Sequence, residues 1–290
     1  MTLKIGSLFS GYGGLDMGVS QVLDAETIWH CEWALAPSKV LEHHWHGVPN
    51  YHDVTTIDWD AVEPIDILTG GYPCQPFSHA GRRKGTEDER HLWPYVRKAI
   101  RNIRPRFAFL ENVAGHRSLG FNRVLADLAE DGMDVKWASV RASDVGAPHH
   151  RERLFILAST SNTEGTGPGE RLCQGRLPLQ PRRGSCDDAA RPGVASAFDY
   201  GRFERAVRRW EIVTGNAAPS AGYRNSAGVA LLSPSFAEWM MGLPGGHITD
   251  PTIGLSSGEQ LKLAGNGVVP RQAAYALQLM LSGELGVANG

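Results

Sequence analysis

Cys74 stands in the run Gly70-Gly71-Tyr72-Pro73-Cys74-Gln75-Pro76-Phe77-Ser78, directly after a short apolar segment. Where a strand gives way to a turn cleared by two glycines, a thiol has room to meet a ligand. As a thiolate it is a strong nucleophile, although a cysteine at a strand end also serves as inert buried packing, and reactivity requires thiolate character and access. A second group is Glu111 of Glu111-Asn112-Val113, which closes the apolar run Phe107-Ala108-Phe109-Leu110. A partly desolvated carboxyl there holds a proton near neutral pH and can act as a general acid, with a helix cap or an ion pair as the alternative. Arg151 and Arg153 in His149-His150-Arg151-Glu152-Arg153-Leu154-Phe155 occupy alternate positions. On one strand they point to the same side and would face an anionic or carbonyl-rich ligand.

Phe9-Ser10-Gly11-Tyr12-Gly13-Gly14-Leu15-Asp16 follows the first apolar run and opens a helical pattern. A glycine turn in that place lets a cofactor approach the backbone closely, though a plain tight turn has the same appearance. Read as G-x-G-x-x-G it carries Asp16 at the third glycine, which weakens a dinucleotide reading. Glu32, ending the second apolar run, is placed to take the ribose hydroxyls of any adenosine cofactor. Asp53, before Val54, is placed either to accept from an adenine amino group or to cap a turn.

These groups need a scaffold. Residues 4–10, 26–33, 65–71, 106–113, 134–143 and 153–159 read as strands, and Leu15–Leu23, Pro37–Trp45, Pro94–Ile103 and Leu119–Asp131 as helices between them. The alternation predicts an α/β fold, a mixed and mostly parallel sheet with helices on both faces, whose ligands bind at the strands' carboxyl ends. From Thr160 to about Gly193 the periodicity stops and Gly, Pro, Ser and Arg dominate, as in a long loop or irregular lobe. A helical pattern resumes near 198–214, followed by another Gly/Ser/Pro-rich link and then the run at 235–243. The apolar helix Val269–Leu281 is expected to pack back on the first domain.

With 290 residues, 42% hydrophobic and 21% charged, the chain is long enough for one large domain with an inserted lobe. No apolar run reaches the roughly 18 residues of a membrane span and no cationic leader stands at the start, so a cytoplasmic protein with no membrane role is expected. Cys31, Cys74, Cys173 and Cys186 lack CxxC spacing, which argues against a zinc site and for reduced thiols. A net charge of −2 leaves nucleic-acid contact to local clusters. Candidates are Arg82-Arg83-Lys84, the trio Arg97, Arg101 and Arg104, and the trio Arg202, Arg205 and Arg209, each also readable as a solvated face.

Taken in order, Phe-x-Gly-x-Gly-Gly from Phe9 to Gly14, Pro-Cys-Gln at 73–75, Glu-Asn-Val at 111–113, Arg-x-Arg at 151–153 and the late Gly265-Asn266 resemble the motif series of the DNA cytosine-5 methyltransferases of bacterial or phage type. The resemblance covers residues 3–158 and about 230–280. It implies a fold like that of S-adenosylmethionine-dependent methyltransferases. The implied division is a catalytic cofactor-binding domain over 1–159, a target-recognition region over 160–250 and a returning segment over 251–290. It also implies methyl transfer from S-adenosyl-L-methionine to carbon 5 of a flipped cytosine in duplex DNA, with no metal. Carried over by position, Cys74 is the nucleophile, Glu111 holds the cytosine ring nitrogen, Arg153 contacts its carbonyl and Arg151 supports. Phe9, Tyr12, Gly13, Gly14, Glu32, Trp33, Asp53, Val54, Gly71, Pro73, Leu92 and Asn266 form the cofactor pocket. Ser78, Arg82, Arg83, Lys84 and Arg90 lie on a loop meeting DNA phosphates, and Arg171, Arg176, Arg182 and Arg183 are candidates for reading bases.

The resemblance also implies a monomer, a separate restriction endonuclease as a possible companion, and a bacterial or phage source. A tRNA methyltransferase and a non-catalytic cofactor or DNA binder are the alternatives. The tRNA branch carries a Cys-Phe-Thr tripeptide that is absent here. Three positions depart from the pattern. His149 stands where Gln is usual, Gly267 follows Asn266 where Ser is common, and an Arg often found before Ser235-Phe236-Ala237-Glu238-Trp239-Met240-Met241-Gly242-Leu243-Pro244 is missing. The first is expected to alter packing beside the two arginines, the second to lower cofactor affinity modestly, and the third to affect docking of the small lobe.

Overall fold

The computed structural model describes residues 2–73, 92–160, 200–224 and 228–282. Strands β1 (Leu3–Leu8), β2 (Ala25–Cys31), β3 (Ile67–Gly70), β4 (Phe107–Val113), β5 (Met133–Arg141) and β6 (Glu152–Thr160) form one sheet in the order β2-β1-β3-β4-β6-β5. β1 pairs in parallel with β2 and β3, and β3 with β4, whereas β6 runs antiparallel between β4 and β5. The described helices are α1 (Gly14–Ser20), α2 (Leu35–His44), α3 (Trp93–Ile103), α4 (Phe121–Glu130), α5 (Glu204–Thr214), α6 (Pro234–Met240), α7 (Ser257–Asn266) and α8 (Pro270–Ser282). A short hairpin, β7 (Gly222–Arg224) with β8 (Ala230–Leu232), stands apart. No helix among the described residues is long and apolar enough to cross a membrane.

The central strands β3 and β4 are buried along almost their whole length because successive side chains go to opposite faces and both faces are covered. Leu68, Ala108 and Leu110 join α3 and α4 on one side. Ile67, Phe107 and Phe109 join α1 and α8 on the other, where the Phe109 and Phe155 rings stack 5.8 Å apart. Each large apolar side chain buried this way is worth about 1.5–3 kcal/mol. The last helix therefore lies on the sheet that the first residues open. The two helices cross so closely that a Cβ at Gly18 would come within 2.6 Å of the Ala273 Cβ. A third core joins α2 and Tyr12 to α5, α6 and α7.

Two expectations change. α7 was not foreseen, although Ser256 and Glu259 form a reciprocal capping box at its start, a pattern visible as S-x-x-E. The cationic helix faces are partly spent within the fold. Arg97 bonds Asp127, Glu130 and Asp131 of the α4 end at 2.7–2.8 Å, and Arg209 donates to the Gly146 carbonyl. A guanidinium already held by three carboxylates has no net charge left to offer a phosphate.

Asp16, only 1% exposed, fastens α1 beneath the sheet by accepting from Ser7 Oγ of β1 at 2.7 Å and Thr69 Oγ1 of β3 at 2.5 Å. Burial outweighs the two hydroxyls and pushes its carboxyl up to about 6. Because the folded value lies above the unfolded one, the stabilising contribution is full below the unfolded titration range and is lost as pH rises through about 6. Denaturant titrations from pH 4 to 8 should show the wild type losing on the order of 3 kcal/mol relative to Asp16→Asn, in which nothing ionises. Parallel pH profiles for the two proteins would refute this assignment.

Candidate active site

The carboxyl ends of β1, β2, β3 and β4 open on a cavity of about 730 Å³. Phe9, Tyr12, Gly14, Glu32, Trp33, Asp53, Val54, Gly71, Pro73, Leu92 and Asn266 line it, and so does Glu111. Gly13 lies outside this lining. It is glycine because the turn needs φ 81° there and because a Cβ would overlap the Trp45 ring. Lining residues not anticipated from sequence include His52 and, from α7, Glu259, Lys262 and Leu263. The capping box that marks α7 was the available signal for the last three.

Glu32 organises the glycine turn. Its Oε2 accepts from the Gly11 N–H and its Oε1 from the Ala34 N–H, both at 2.9 Å. Each oxygen keeps a lone pair for a hydroxyl in the cavity. Burial raises its carboxyl above the usual range, against the pull of those two amides. Trp33 and Leu35, each 74% exposed, give the cavity an apolar rim. Asp53 spends Oδ1 on the backbone and hydroxyl of Thr55, so the turn-capping reading of that residue also holds.

Tyr12 is 1% exposed and donates its hydroxyl to the Val268 carbonyl at 2.7 Å. Its ring fills the space that a Cβ on Gly14 or Gly267 would need. Gly267 is thus the packing partner of Tyr12. That contact gives glycine at 267 a steric reason, independent of the hydroxyl it lacks.

Glu111 and Arg153 meet where β4 and β6 pair. Val113 lies opposite Arg153, and Arg153 Nε donates to Glu111 Oε1 at 2.9 Å. Glu111 is 9% exposed, and burial raises its carboxyl while Arg153 and then Arg151 draw it down. Gly71 leaves room for it, since a Cβ there would sit 3.3 Å from Glu111 Oε2. Beside it, Asn112 Nδ2 donates to the Tyr72 carbonyl at 3.1 Å and Tyr72 Oη lies 2.9 Å from His116 Nε2. The segment that leads to position 74 is therefore stitched to the strand that carries Glu111. Cys74, Ser78, Arg82, Arg83, Lys84 and Arg90 lie outside the described residues, as do Arg171, Arg176, Arg182 and Arg183.

Arg151 corrects the expectation of two arginines side by side. It precedes β6 with φ 34°, so the strand alternation does not reach it. Its guanidinium donates to the carbonyls of Gly265 and Gly267 at the end of α7, a favourable place for a cation because the last helix carbonyls lack partners. His149 donates from Nε2 to the Met240 carbonyl at 3.0 Å and so ties this corner to α6. The same histidine that departs from the pattern supplies a long-range contact, as His247 does by donating to the Tyr12 carbonyl at 2.8 Å.

A family model described as C-5 cytosine-specific DNA methylase matches residues 3–180. Among curated relatives, the chain is 34% identical over 162 residues to Type II methyltransferase M.Bsp6I of Bacillus sp. (strain RFL6), covering 53% of this chain and 51% of that one. It is 38% identical over 165 residues to Type II methyltransferase M.HpaII of Haemophilus parainfluenzae, covering 54% and 46%. The chain thus spans about half the length of the curated relatives it matches. Its fold is similar to that of the Schizosaccharomyces pombe Dnmt2 methyltransferase, with TM-score 0.65 at 14% identity over 98% of this chain and 100% of that one. It is also similar to an Entamoeba histolytica methyltransferase, with TM-score 0.63 at 14% identity over 99% of each.

Gly267→Ser is expected to destabilise the chain by about 1–3 kcal/mol through overpacking against Tyr12. Tyr12→Ala in the same chain should remove most of that penalty. Chemical denaturation of the two single variants and the double variant measures the coupling, and strictly additive effects would contradict the contact.

Proposed function

The chain belongs to the C-5 cytosine-specific DNA methylase family, and from that membership we propose that it transfers a methyl group from S-adenosyl-L-methionine to carbon 5 of a cytosine flipped out of duplex DNA. One observation carries this reading. The buried carboxyl of Glu111, paired with Arg153, opens on the same cavity as the glycine turn and Glu32. An acid for a base ring and an acceptor for ribose hydroxyls then serve one space.

The donor set fits the cofactor. Glu32 offers lone pairs for two ribose hydroxyls, Asp53 and Val54 flank a place for adenine, and Trp33 offers an aromatic face at the rim. Phe9, Gly14, Gly71, Pro73, Leu92 and Asn266 complete the proposed pocket, with Tyr12 shaping it from behind. When bound, S-adenosyl-L-methionine supplies an electrophilic methyl group. The Cys74 thiolate is the proposed nucleophile and adds to carbon 6 of the cytosine. Glu111, whose proton affinity burial has raised, protonates the ring nitrogen as charge develops there. Arg153 both holds Glu111 and offers N–H groups to the base carbonyl. Carbon 5, made nucleophilic, takes the methyl and leaves the donor sulfur as a neutral thioether; its proton then passes to a water molecule as the bond to Cys74 breaks and the thiolate is released. Arg151 acts at one remove by holding the end of α7 and with it Asn266 and Gly267.

The target base lies inside the duplex stack, so it must be extruded at a cost of about a few kcal/mol. Ser78, Arg82, Arg83, Lys84 and Arg90 are proposed to meet the DNA backbone, and residues 160–250 to read its sequence. The relatives' designation as Type II methyltransferases supports methylation of DNA, and the chain is further proposed to act as a monomer on a specific site beside a separately acting endonuclease, in a bacterial or phage-carrying cell.

Bisulfite sequencing of DNA and of tRNA from a host expressing the chain should reveal resistant cytosines in one short DNA sequence context. Glu111→Gln should lower methyl transfer by at least about 100-fold, the usual scale of lost acid catalysis. Resistant cytosines confined to tRNA would overturn the proposed substrate, and full activity of Glu111→Gln the proposed acid.

A further inference from the structure

His52 holds a backbone conformation that its residue type disfavours. Its φ is 56°, in the left-handed region where a side chain with a Cβ costs free energy and glycine does not. The position lies on the cavity between Glu32 and Asp53, and its ring is exposed. A strained, exposed histidine lining a ligand cavity calls for a use of the ring.

The hydrogen-bond network around it sets the tautomer. The Asn50 side-chain amide has two hydrogens, and Nδ2 reaches the Glu32 carbonyl at 3.2 Å and Ser38 Oγ at 3.0 Å. The Ser38 hydroxyl donates its own hydrogen to the Ala34 carbonyl at 2.8 Å, which leaves its oxygen free to accept from Asn50. With both Asn50 hydrogens committed, the 3.3 Å approach of Asn50 Nδ2 to His52 Nδ1 has none to share. His52 Nδ1 therefore carries the ring proton and donates to the Glu32 carbonyl at 3.2 Å. In neutral imidazole the other nitrogen is then an acceptor. Nε2 has no partner among the described residues. Backbone contacts hold the residue in place, with its N–H donating to Asn50 Oδ1 at 3.1 Å and its carbonyl accepting from Cys31 Sγ at 3.3 Å.

We propose that His52 is a cofactor-binding residue whose Nε2 accepts a hydrogen bond from a hydroxyl or amino group at the adenosyl end of S-adenosyl-L-methionine. This rests on reading the cavity as the cofactor site, with Glu32 at the ribose and Asp53 at adenine. The backbone strain at 52 is then the cost of turning a ring acceptor toward a ligand whose adenosyl part is rich in donors. No sequence pattern marks this role, because it follows from the φ of one residue and the commitments of Asn50.

Two substitutions separate the ring nitrogens. Asn tolerates positive φ, and its amide can replace Nδ1 as donor to the Glu32 carbonyl, but it cannot reach the place of Nε2. Gln can place an amide oxygen there. Isothermal titration of the ligand-free chain with S-adenosylhomocysteine should show His52→Asn binding about tenfold more weakly than wild type, and His52→Gln recovering most of the loss. The ligand-free melting temperature of His52→Asn should stay at or above that of wild type, since no fold contact is lost. Wild-type affinity in His52→Asn overturns the proposal while leaving the cavity reading intact. A melting temperature that falls together with affinity overturns it in favour of a brace for the fold. No binding by the wild-type chain overturns the cavity reading and the proposal together.

Discussion

The buried pairing of Glu111 with Arg153 is the constraint around which the rest of the site is arranged. A carboxylate and a guanidinium taken out of water lose hydration that their mutual attraction only partly restores, so such a pair persists where both backbones are fixed. Here the antiparallel pairing of β4 and β6 fixes them, because it sets Val113 opposite Arg153. A fully parallel sheet would not bring a residue at the start of β6 to the carboxyl end of β4. The one reversed strand is thus what brings the Arg153 guanidinium to a cavity otherwise built from parallel strand ends. Gly71 adds the room, and Asn112 ties the approach to position 74 onto the same strand.

The glycine turn is fixed from the opposite end of the chain. Tyr12 locks onto Val268 and packs on Gly14 and Gly267, while His247 bonds the Tyr12 carbonyl from the turn after α6. Arg151 holds the carbonyls that end α7, and Gln272 Nε2 bonds the Arg151 carbonyl and that of Val140. Segments far apart in sequence therefore share a few hydrogen bonds that define one wall of the cavity. The strained backbones at Phe9 and His52, with φ 51° and 56°, both lie on that cavity, where strain has a use.

Much of this was legible from sequence wherever a local pattern carries it. The continuous apolar run ending in Glu111 announced a central strand, and the glycine-rich turn before α1 announced the ligand end of the sheet. What escaped depends on long-range geometry. The period-two rule placed Arg151 beside Arg153, but the strand begins at Glu152, so the rule does not reach position 151. The steric need for glycine at 267 was hidden because nothing nearby in sequence reveals the Tyr12 ring. α7 hid among Gly and Ser residues whose helix propensity is low, and only its capping box betrayed it. Arg97 looked free because its three carboxylate partners lie on another helix.

The central claim is that a thiol at position 74 and the Glu111 carboxyl act on one cytosine in this cavity. The most direct measurement is to incubate the protein and S-adenosyl-L-methionine with duplex DNA carrying 5-fluorocytosine at the methylated site, then map the cross-linked peptide by mass spectrometry. Fluorine cannot leave as the carbon 5 proton does, so the sulfur–carbon bond should persist after methyl transfer. A methylated, fluorinated cytosine bound to Cys74 is the predicted result. A bond to Cys31, Cys173 or Cys186, or methylation of ordinary cytosine with no trapped adduct, would contradict the account.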